Sequence, residues 1–239
     1  MKRTNLAALF AAVVTAAALP TTASAGIVWT ETGPTGAGDL LATAQTIYDS
    51  SFNTLDEIRG SLTTTALPNG PIYQVDLYKF RIYDFANFSA RTVSSELADD
   101  TALYLFNDTG FGVYMNDDNA GDFLSTLPAG DLASPLSNGI YYLAVALGGY
   151  LANDALSNSL FQAGNFSDVL GGSGFGPLNS WTPGFTSYTE PSFAYDILLT
   201  GATNVPEPAS IALVLAGGIG AWLSRRRSPK VETLCATAA

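Results

Sequence analysis

The side chains that perform most protein chemistry are scarce in this sequence. The 239-residue chain has no histidine and a single cysteine, Cys235. Histidine general bases are therefore excluded, and no thiol nucleophile, disulfide or cysteine zinc ligand can form before Cys235. Catalysis by a carboxylate pair, a Ser-Lys dyad or a calcium- or magnesium-assisted site would still be open. Most acidic residues, however, lie in Asn/Asp/Gly segments, where local backbone hydrogen bonding explains them. We expect a protein that is not an enzyme and has no catalytic residues.

The densest group of oxygen-bearing side chains lies in residues 116–122. Calcium binds about six to eight oxygen atoms from carboxylates, amides and carbonyls, so this composition suits a structural Ca²⁺ ion. The spacing is not that of an EF-hand, because the terminal glutamate is missing. A solvated hairpin turn has the same composition and is the alternative. The candidate ligands are Asn116, Asp117, Asp118 and Asp122, and no other cofactor is expected.

The N-terminus has the three parts of a secretory signal peptide in the expected order. Lys2 and Arg3 precede an apolar run over residues 6–19, and Ala23-Ser24-Ala25 follows as an A-x-A cleavage site. A transmembrane helix is the alternative, but the run is too short for one. The sequence predicts a signal peptide over residues 1–25, cleaved after Ala25, with the Sec translocon and signal peptidase as partners.

A composite motif lies near the C-terminus. A Pro-Glu-Pro segment is followed by an apolar run over 211–223 and then by three arginines. The positive-inside rule keeps such arginines in the cytoplasm, so the preceding domain faces outward. A buried helix of the main domain is the alternative for the apolar run. The motif residues are Val205, Pro206, Glu207, Pro208, Ala209, Ser210, Arg225, Arg226 and Arg227.

This arrangement resembles the PEP-CTERM sorting signal of Gram-negative bacteria over residues 205–227. The resemblance implies a transmembrane helix over 209–224, anchoring in the inner membrane at least transiently, and processing by an exosortase. Residues 228–239 would form a cytoplasmic tail, which extends further past the arginines than is usual in such signals.

Residues 26–204 are predicted to form an exported ectodomain that is all β. Period-two alternation over 73–82, 101–106 and 140–147 is typical of half-buried strands, and Asn/Asp/Gly turns separate them. We expect an antiparallel, jelly-roll-like β-sandwich. A loop-rich, aromatic-containing insertion covers about 151–191, with a short helix near 155–162, and a closing strand covers 193–200.

Five segments of the ectodomain resemble the bacterial pre-peptidase C-terminal (PPC) domain over about residues 31–147. They are Ala42-Thr43-Ala44-Gln45, Val75-Asp76-Leu77-Tyr78-Lys79-Phe80, Asp100-Thr101-Ala102-Leu103-Tyr104-Leu105-Phe106, Asn116-Asp117-Asp118 and Gly139-Ile140-Tyr141-Tyr142-Leu143-Ala144-Val145. The resemblance implies a jelly-roll-like β-sandwich. It also implies a second candidate calcium set, Glu31, Asp39 and Asp76.

Charge and motifs together indicate the class of function. The net charge is −11, and a body this acidic repels nucleic acid, so no nucleic-acid partner is expected. We expect a membrane-anchored protein that then reaches the cell surface or extracellular matrix. The PEP-CTERM resemblance implies a structural or binding role linked to exopolysaccharide and biofilm. The alternatives are an accessory module of a secreted hydrolase and a carbohydrate- or small-ligand-binding protein.

Overall fold

The described part of the chain is built from β-strands joined by turns and loops. The computed structural model describes residues 26–33, 36–49, 53–67, 70–73, 75–93, 100–184 and 192–206. The predicted signal peptide with Ala23 and Ala25, the predicted helix 209–224, the arginines 225–227 and the tail lie outside these residues, as do motif residues 207–210. Within the described ranges, no helix has the length and apolar character needed to cross a membrane.

Seventeen strands occur in these residues. They are β1 (Ile27–Thr30), β2 (Gln45–Thr46), β3 (Tyr48–Asp49), β4 (Leu55–Leu67), β5 (Gly70–Tyr73), β6 (Asp76–Ile82), β7 (Ser89–Val93), β8 (Thr101–Asn107), β9 (Gly112–Asn116), β10 (Thr126–Leu127), β11 (Gly139–Leu147), β12 (Leu151–Asn153), β13 (Leu170–Gly171), β14 (Ser180–Thr182), β15 (Ser192–Thr200), β16 (Ala202–Thr203) and β17 (Val205–Pro206).

The first sheet has the strand order β1-β4-β15-β7-β10, with β5 beside β4. Strand β15 lies at its centre and pairs antiparallel with both β4 and β7. Alternate residues of β15, from Phe193 to Leu199, are buried, whereas Ala194 is exposed. This period-two burial shows that one face of the sheet packs on the core.

The second sheet has the order β13-β9-β8-β11-β6-β16, with β2 beside β6. Its central strands β8 and β11 are buried on both faces. The insertion covers one of these faces: the Trp181 ring lies 5.1 Å from that of Tyr104, and the Phe161 ring lies 5.5 Å from that of Phe106. Two aromatic residues of the insertion, Phe161 and Trp181, therefore extend the core.

The two sheets share one continuous core, in the manner of a β-sandwich. A hydrogen bond of 2.6 Å joins the hydroxyl groups of Tyr78 on β6 and Tyr195 on β15. Phe80 of the second sheet packs against Phe88, just before β7 of the first, with ring centroids 5.8 Å apart. These contacts fix the position of one sheet relative to the other.

Both main sheets are mixed, whereas the sequence predicts purely antiparallel ones. Strand β1 runs parallel to β4, and β2 runs parallel to β6. The two-residue strand β17 is also parallel to β3. Local alternation reports which residues form strands but not which strands pair, so the parallel edge pairs leave no local signal.

The predicted helix near 155–162 is wrong. The chain there forms a turn and two isolated bridges, Asn153 with Ser159 and Phe161 with Gly172. The carboxylate of Asp154 accepts hydrogen bonds of 2.8 Å from the backbone N–H groups of both Leu156 and Asn158. A side chain that captures backbone donors in this way competes with a helix, and here the turn is favoured.

Candidate functional site

Three aspartates lie together at one end of the second sheet. Asp100 directly precedes β8, and Asp117 and Asp118 directly follow β9. The two strands are antiparallel, with Leu103 opposite Asn116, so the start of β8 lies beside the end of β9. One carboxylate oxygen from each aspartate lies within 4.8 Å of the others. We call Asp100, Asp117 and Asp118 the aspartate cluster.

Asp117 is the buried member of the aspartate cluster, with 6% of its surface exposed. Its Oδ2 accepts a 2.9 Å hydrogen bond from the backbone N–H of Gly149, whereas its buried Oδ1 has no hydrogen-bond partner. Burial, and to a smaller extent the charges of Asp100 and Asp118, raises the pKa of Asp117 to about 7. Burial and the charge of Asp100 also raise the pKa of Asp118.

Asp100 is positioned by the end of β11. The backbone N–H of Gly148 donates a 3.0 Å hydrogen bond to the Asp100 carbonyl oxygen. A Cβ atom on Gly148 would overlap the Asp100 carboxyl group, so only glycine leaves room for it. Three carboxylates this close repel one another unless a proton or a cation lies between them.

The other two predicted ligands of the 116–122 segment, Asn116 and Asp122, form hydrogen bonds that stabilise the loop after β9. The Asn116 Nδ2 group donates to the carbonyl oxygens of Asp118 and Asp168, and its Oδ1 accepts from the N–H of Thr126. Asp122 is exposed, and its Oδ1 accepts a 3.0 Å bond from the Leu124 N–H. Both side chains therefore stabilise the turn that carries Asp117 and Asp118.

The structure brings two of the three acids suggested by the PPC resemblance into electrostatic contact. Asp76 is 1% exposed, and its two oxygens accept hydrogen bonds from the Ala37 N–H (3.1 Å) and the Tyr195 hydroxyl (2.8 Å). Burial, followed by the charge of Glu31, raises its pKa to about 7. Burial also raises the pKa of Glu31, whose Oε2 accepts from the Ser61 N–H.

Asp39, the third of these acids, has an exposed side chain. Its backbone carbonyl accepts a 2.7 Å hydrogen bond from the indole N–H of Trp181, and thereby ties the N-terminal segment to the insertion. Among the described residues, the group of three acids with mutually close oxygens does not include it.

Sequence reasoning missed Asp100 as a candidate ligand. Asp100 falls outside the 116–122 segment and enters only as the first residue of a PPC-like strand. Asp100 could have been identified from the pairing of the two predicted strands on either side of the turn 107–110. An antiparallel hairpin there places the residue before the first strand beside the residues after the second.

A cavity of about 360 Å³ lies between the insertion and the second sheet. Tyr104, Tyr150, Phe161 and Phe166 contribute aromatic walls, and Asp117 contributes a carboxylate. Its volume is at the lower end of the range of small-molecule sites, which are mostly apolar with a few polar groups.

The predicted sorting motif begins inside the described all-β body. Asn204 is fully buried, and its Nδ2 donates to the Asp49 carbonyl while its Oδ1 accepts from the Asn53 N–H. The Val205 N–H donates a 2.8 Å bond to the Ile47 carbonyl, and β17 pairs with β3. Motif residues Val205 and Pro206 therefore form the last of the strands that the structure describes.

Comparison with known proteins identifies one segment. Residues 204–227 match the family model of the PEP-CTERM protein-sorting motif. No curated protein matches the chain. The match starts at buried Asn204 and confirms the motif predicted over residues 205–227.

Proposed function

We propose that this chain is an exported protein sorted by an exosortase and that it acts at the cell surface or in the extracellular matrix. The observation that carries the proposal is the sorting-motif match over residues 204–227. The match overlaps the last described residues, 204–206, so a single cut beyond residue 206 would leave the described all-β body whole. The three arginines after the apolar run favour an outward-facing body before that cut.

The role of the released body is proposed to be structural or binding, in association with exopolysaccharide. Its support is chemical: the chain has 21 acidic and 10 basic residues and no histidine. Six of the ten basic residues lie in the predicted signal peptide and in residues 225–230, so the body is more acidic than the chain as a whole. Such a charge favours a neutral or cationic polysaccharide over an anionic one as the partner.

We also propose that the body is a jelly-roll-like β-sandwich of PPC type. The shared core of two sheets supports this, as does the contact between Glu31 and Asp76, the two acids that the resemblance implicates. This chain differs from the antiparallel PPC-like pattern in two ways: it has parallel edge pairs, and it carries a large insertion.

Sorting is tested by expressing the full chain in a host, with and without co-expression of the exosortase from the organism that produces this protein. Mass spectrometry of the mature protein gives both termini. With the exosortase we expect loss of the residues after the Pro-Glu-Pro segment and release from the inner membrane. Without it we expect the C-terminus to remain intact and the protein to fractionate with the membrane.

Glu207→Ala tests the motif itself, and Glu232→Ala is the matched control because it removes a glutamate from the tail. We expect the first substitution to reduce processing and the second to leave it unchanged. Equal processing of both variants, or an intact C-terminus in the presence of the exosortase, would refute the proposal. Degradation of the body by protease added to intact spheroplasts would independently establish its outward orientation.

Ligand binding is a second candidate function, favoured by the aromatic cavity beside Asp117. Sugar rings and other small amphipathic molecules stack on aromatic side chains of this kind. The test is binding of the full chain, in detergent, to a glycan array. Phe161→Ala removes one wall of the cavity and should abolish any signal that arises there, and a signal that persists in this variant excludes the cavity.

A further inference from the structure

We propose that the aspartate cluster of Asp100, Asp117 and Asp118 binds a calcium ion at the end of the second sheet. The site combines the start of β8, the end of β9 and the backbone that follows β11. The inference is independent of sorting and would hold equally for a body that is never cleaved.

The strongest support is the unpaired oxygen of Asp117. Buried polar atoms in folded proteins nearly always have a partner, and an unpaired one is costly. Asp117 is 6% exposed and its Oδ1 has none, while the Gly149 N–H holds the other oxygen at 2.9 Å. The hydrogen bond from Gly149 thus fixes the orientation of the Asp117 carboxylate. Its other oxygen remains without a partner, and the carboxylates of Asp100 and Asp118 lie nearby.

The backbone at Gly148 provides a second indication that the fold positions the aspartate cluster specifically. The Asp100 carboxyl group occupies the space that a Cβ atom of residue 148 would fill. The adjacent N–H groups of Gly148 and Gly149 bind Asp100 and Asp117, respectively. One turn of backbone therefore brings together two acids that would otherwise repel each other.

The chemistry of the donors selects the ion. Three carboxylates supply only oxygen, which suits calcium and magnesium rather than zinc or copper. Asp100 and Asp118 are half-buried, so water can reach the open side of the cluster. Calcium accepts about six to eight oxygens in irregular geometry, whereas magnesium requires a near-ideal octahedron, and an open cluster of three carboxylates fits calcium better.

The Glu31–Asp76 pair is the competing position. Glu31 also has an unpaired buried oxygen, Oε1. However, both oxygens of Asp76 already accept hydrogen bonds, from Ala37 and Tyr195, and Asp39 is exposed. A cation there would meet two carboxylates, one of which already accepts a hydrogen bond at each oxygen, whereas the aspartate cluster offers three carboxylates and an unpaired oxygen.

The test uses the full chain purified in detergent at pH 7.5. Calorimetric titration with CaCl₂ measures affinity, and tyrosine and tryptophan fluorescence follows melting in EGTA or calcium. At a calcium concentration about one hundred times the dissociation constant, we expect the midpoint to rise by about 7 °C. Asp100→Asn should weaken calcium affinity at least about tenfold, because ligand charge sets the affinity of such sites.

Asp117→Asn separates a ligand from a merely structural residue. Its oxygen still accepts from Gly149, and the buried charge is gone, so in EGTA this variant should melt at or above the wild-type temperature. In calcium it should show no shift. Gly148→Ala retains all three carboxylates but displaces that of Asp100, and should also weaken binding. Asp39→Asn, which removes an exposed acid, should behave as wild type.

Two results would show that calcium does not bind the aspartate cluster. One is the absence of both heat and melting shift in the wild type at millimolar calcium. The other is a calcium shift that survives Asp100→Asn and Asp117→Asn but disappears in Asp76→Asn, which would place the ion at the Glu31–Asp76 pair. Equal shifts with calcium and magnesium would show an unselective acidic surface instead of a calcium site.

Discussion

Asp76→Asn should remove a pH dependence of stability that is built into the interface between the two sheets. Asp76 is 1% exposed, and burial together with the charge of Glu31 raises its pKa from 3.8 to about 7. Because the folded state holds the proton more tightly than the unfolded chain, protonation stabilises the fold. This stabilisation is complete below about pH 4 and is lost as the pH rises to about 7.

The magnitude follows from the size of the shift. Each pKa unit corresponds to about 1.4 kcal/mol, so the charged carboxylate costs the fold about 4 kcal/mol above pH 7. Between pH 5 and pH 8 the loss is about 3 kcal/mol, which lowers the melting midpoint by roughly 8 °C in a domain of this size.

The asparagine variant keeps the hydrogen bonds while removing the charge. Its amide oxygen accepts from Ala37, and its amide N–H donates to the Tyr195 hydroxyl, which can donate in turn to Tyr78. We expect Asp76→Asn to be more stable than wild type at pH 8 and to lose this advantage by pH 5. The assay is fluorescence-detected melting of the full chain in detergent and EGTA from pH 5 to pH 8.

The readout is the difference between variant and wild type, because the other acids of the chain also titrate. Asp39→Asn, an exposed acid, is the control and should parallel the wild type at every pH. Parallel curves for Asp76→Asn and wild type would show that Asp76 is not buried as a charged group at neutral pH, and the reasoning would fail.

Two further substitutions test how the core and the turns are held. Trp181→Ala removes the ring against Tyr104 and the bond to the Asp39 carbonyl, so it should lower the free energy of unfolding by about 2 kcal/mol in urea titrations. Gly201→Ala should lower the melting midpoint clearly more than the matched Gly130→Ala. Both glycines have φ near +70°, but only at Gly201 would a Cβ atom collide with a backbone carbonyl, that of Asp84. Equal decreases of the melting midpoint in the two variants would contradict this.

The strands themselves could be predicted from the sequence. Alternation over 101–106 and 140–147 predicted strands that the structure confirms as β8 and β11. The pattern is local, because a strand buried on at least one face needs apolar residues at fixed spacing. The C-terminal motif could also be predicted, because Pro-Glu-Pro, an apolar run and arginines occur in order within one short segment.

Features that depend on distant parts of the chain could not be predicted in the same way. The parallel pairs of β1, β2 and β17 are each made with a strand elsewhere in the sequence. The helix near 155–162 was wrong because Asp154 captures the backbone donors that a helix would need. Asp100 was missed as a candidate ligand because its neighbours at 117 and 118 come close only through the β8–β9 hairpin.

The closure of the body by its last residues has a consequence for biogenesis. Asn204 bonds to Asn53 across a sequence separation of 151 residues, and central strand β15 is made after residue 191. Contacts so distant form late and slowly, because a long loop must close first. A nascent chain therefore cannot complete its core while its C-terminal part is still being synthesised. The native state forms only after nearly the whole body has left the ribosome. The polypeptide therefore stays unfolded for long enough to suit the export that we propose, since a narrow translocation channel admits only an unfolded chain.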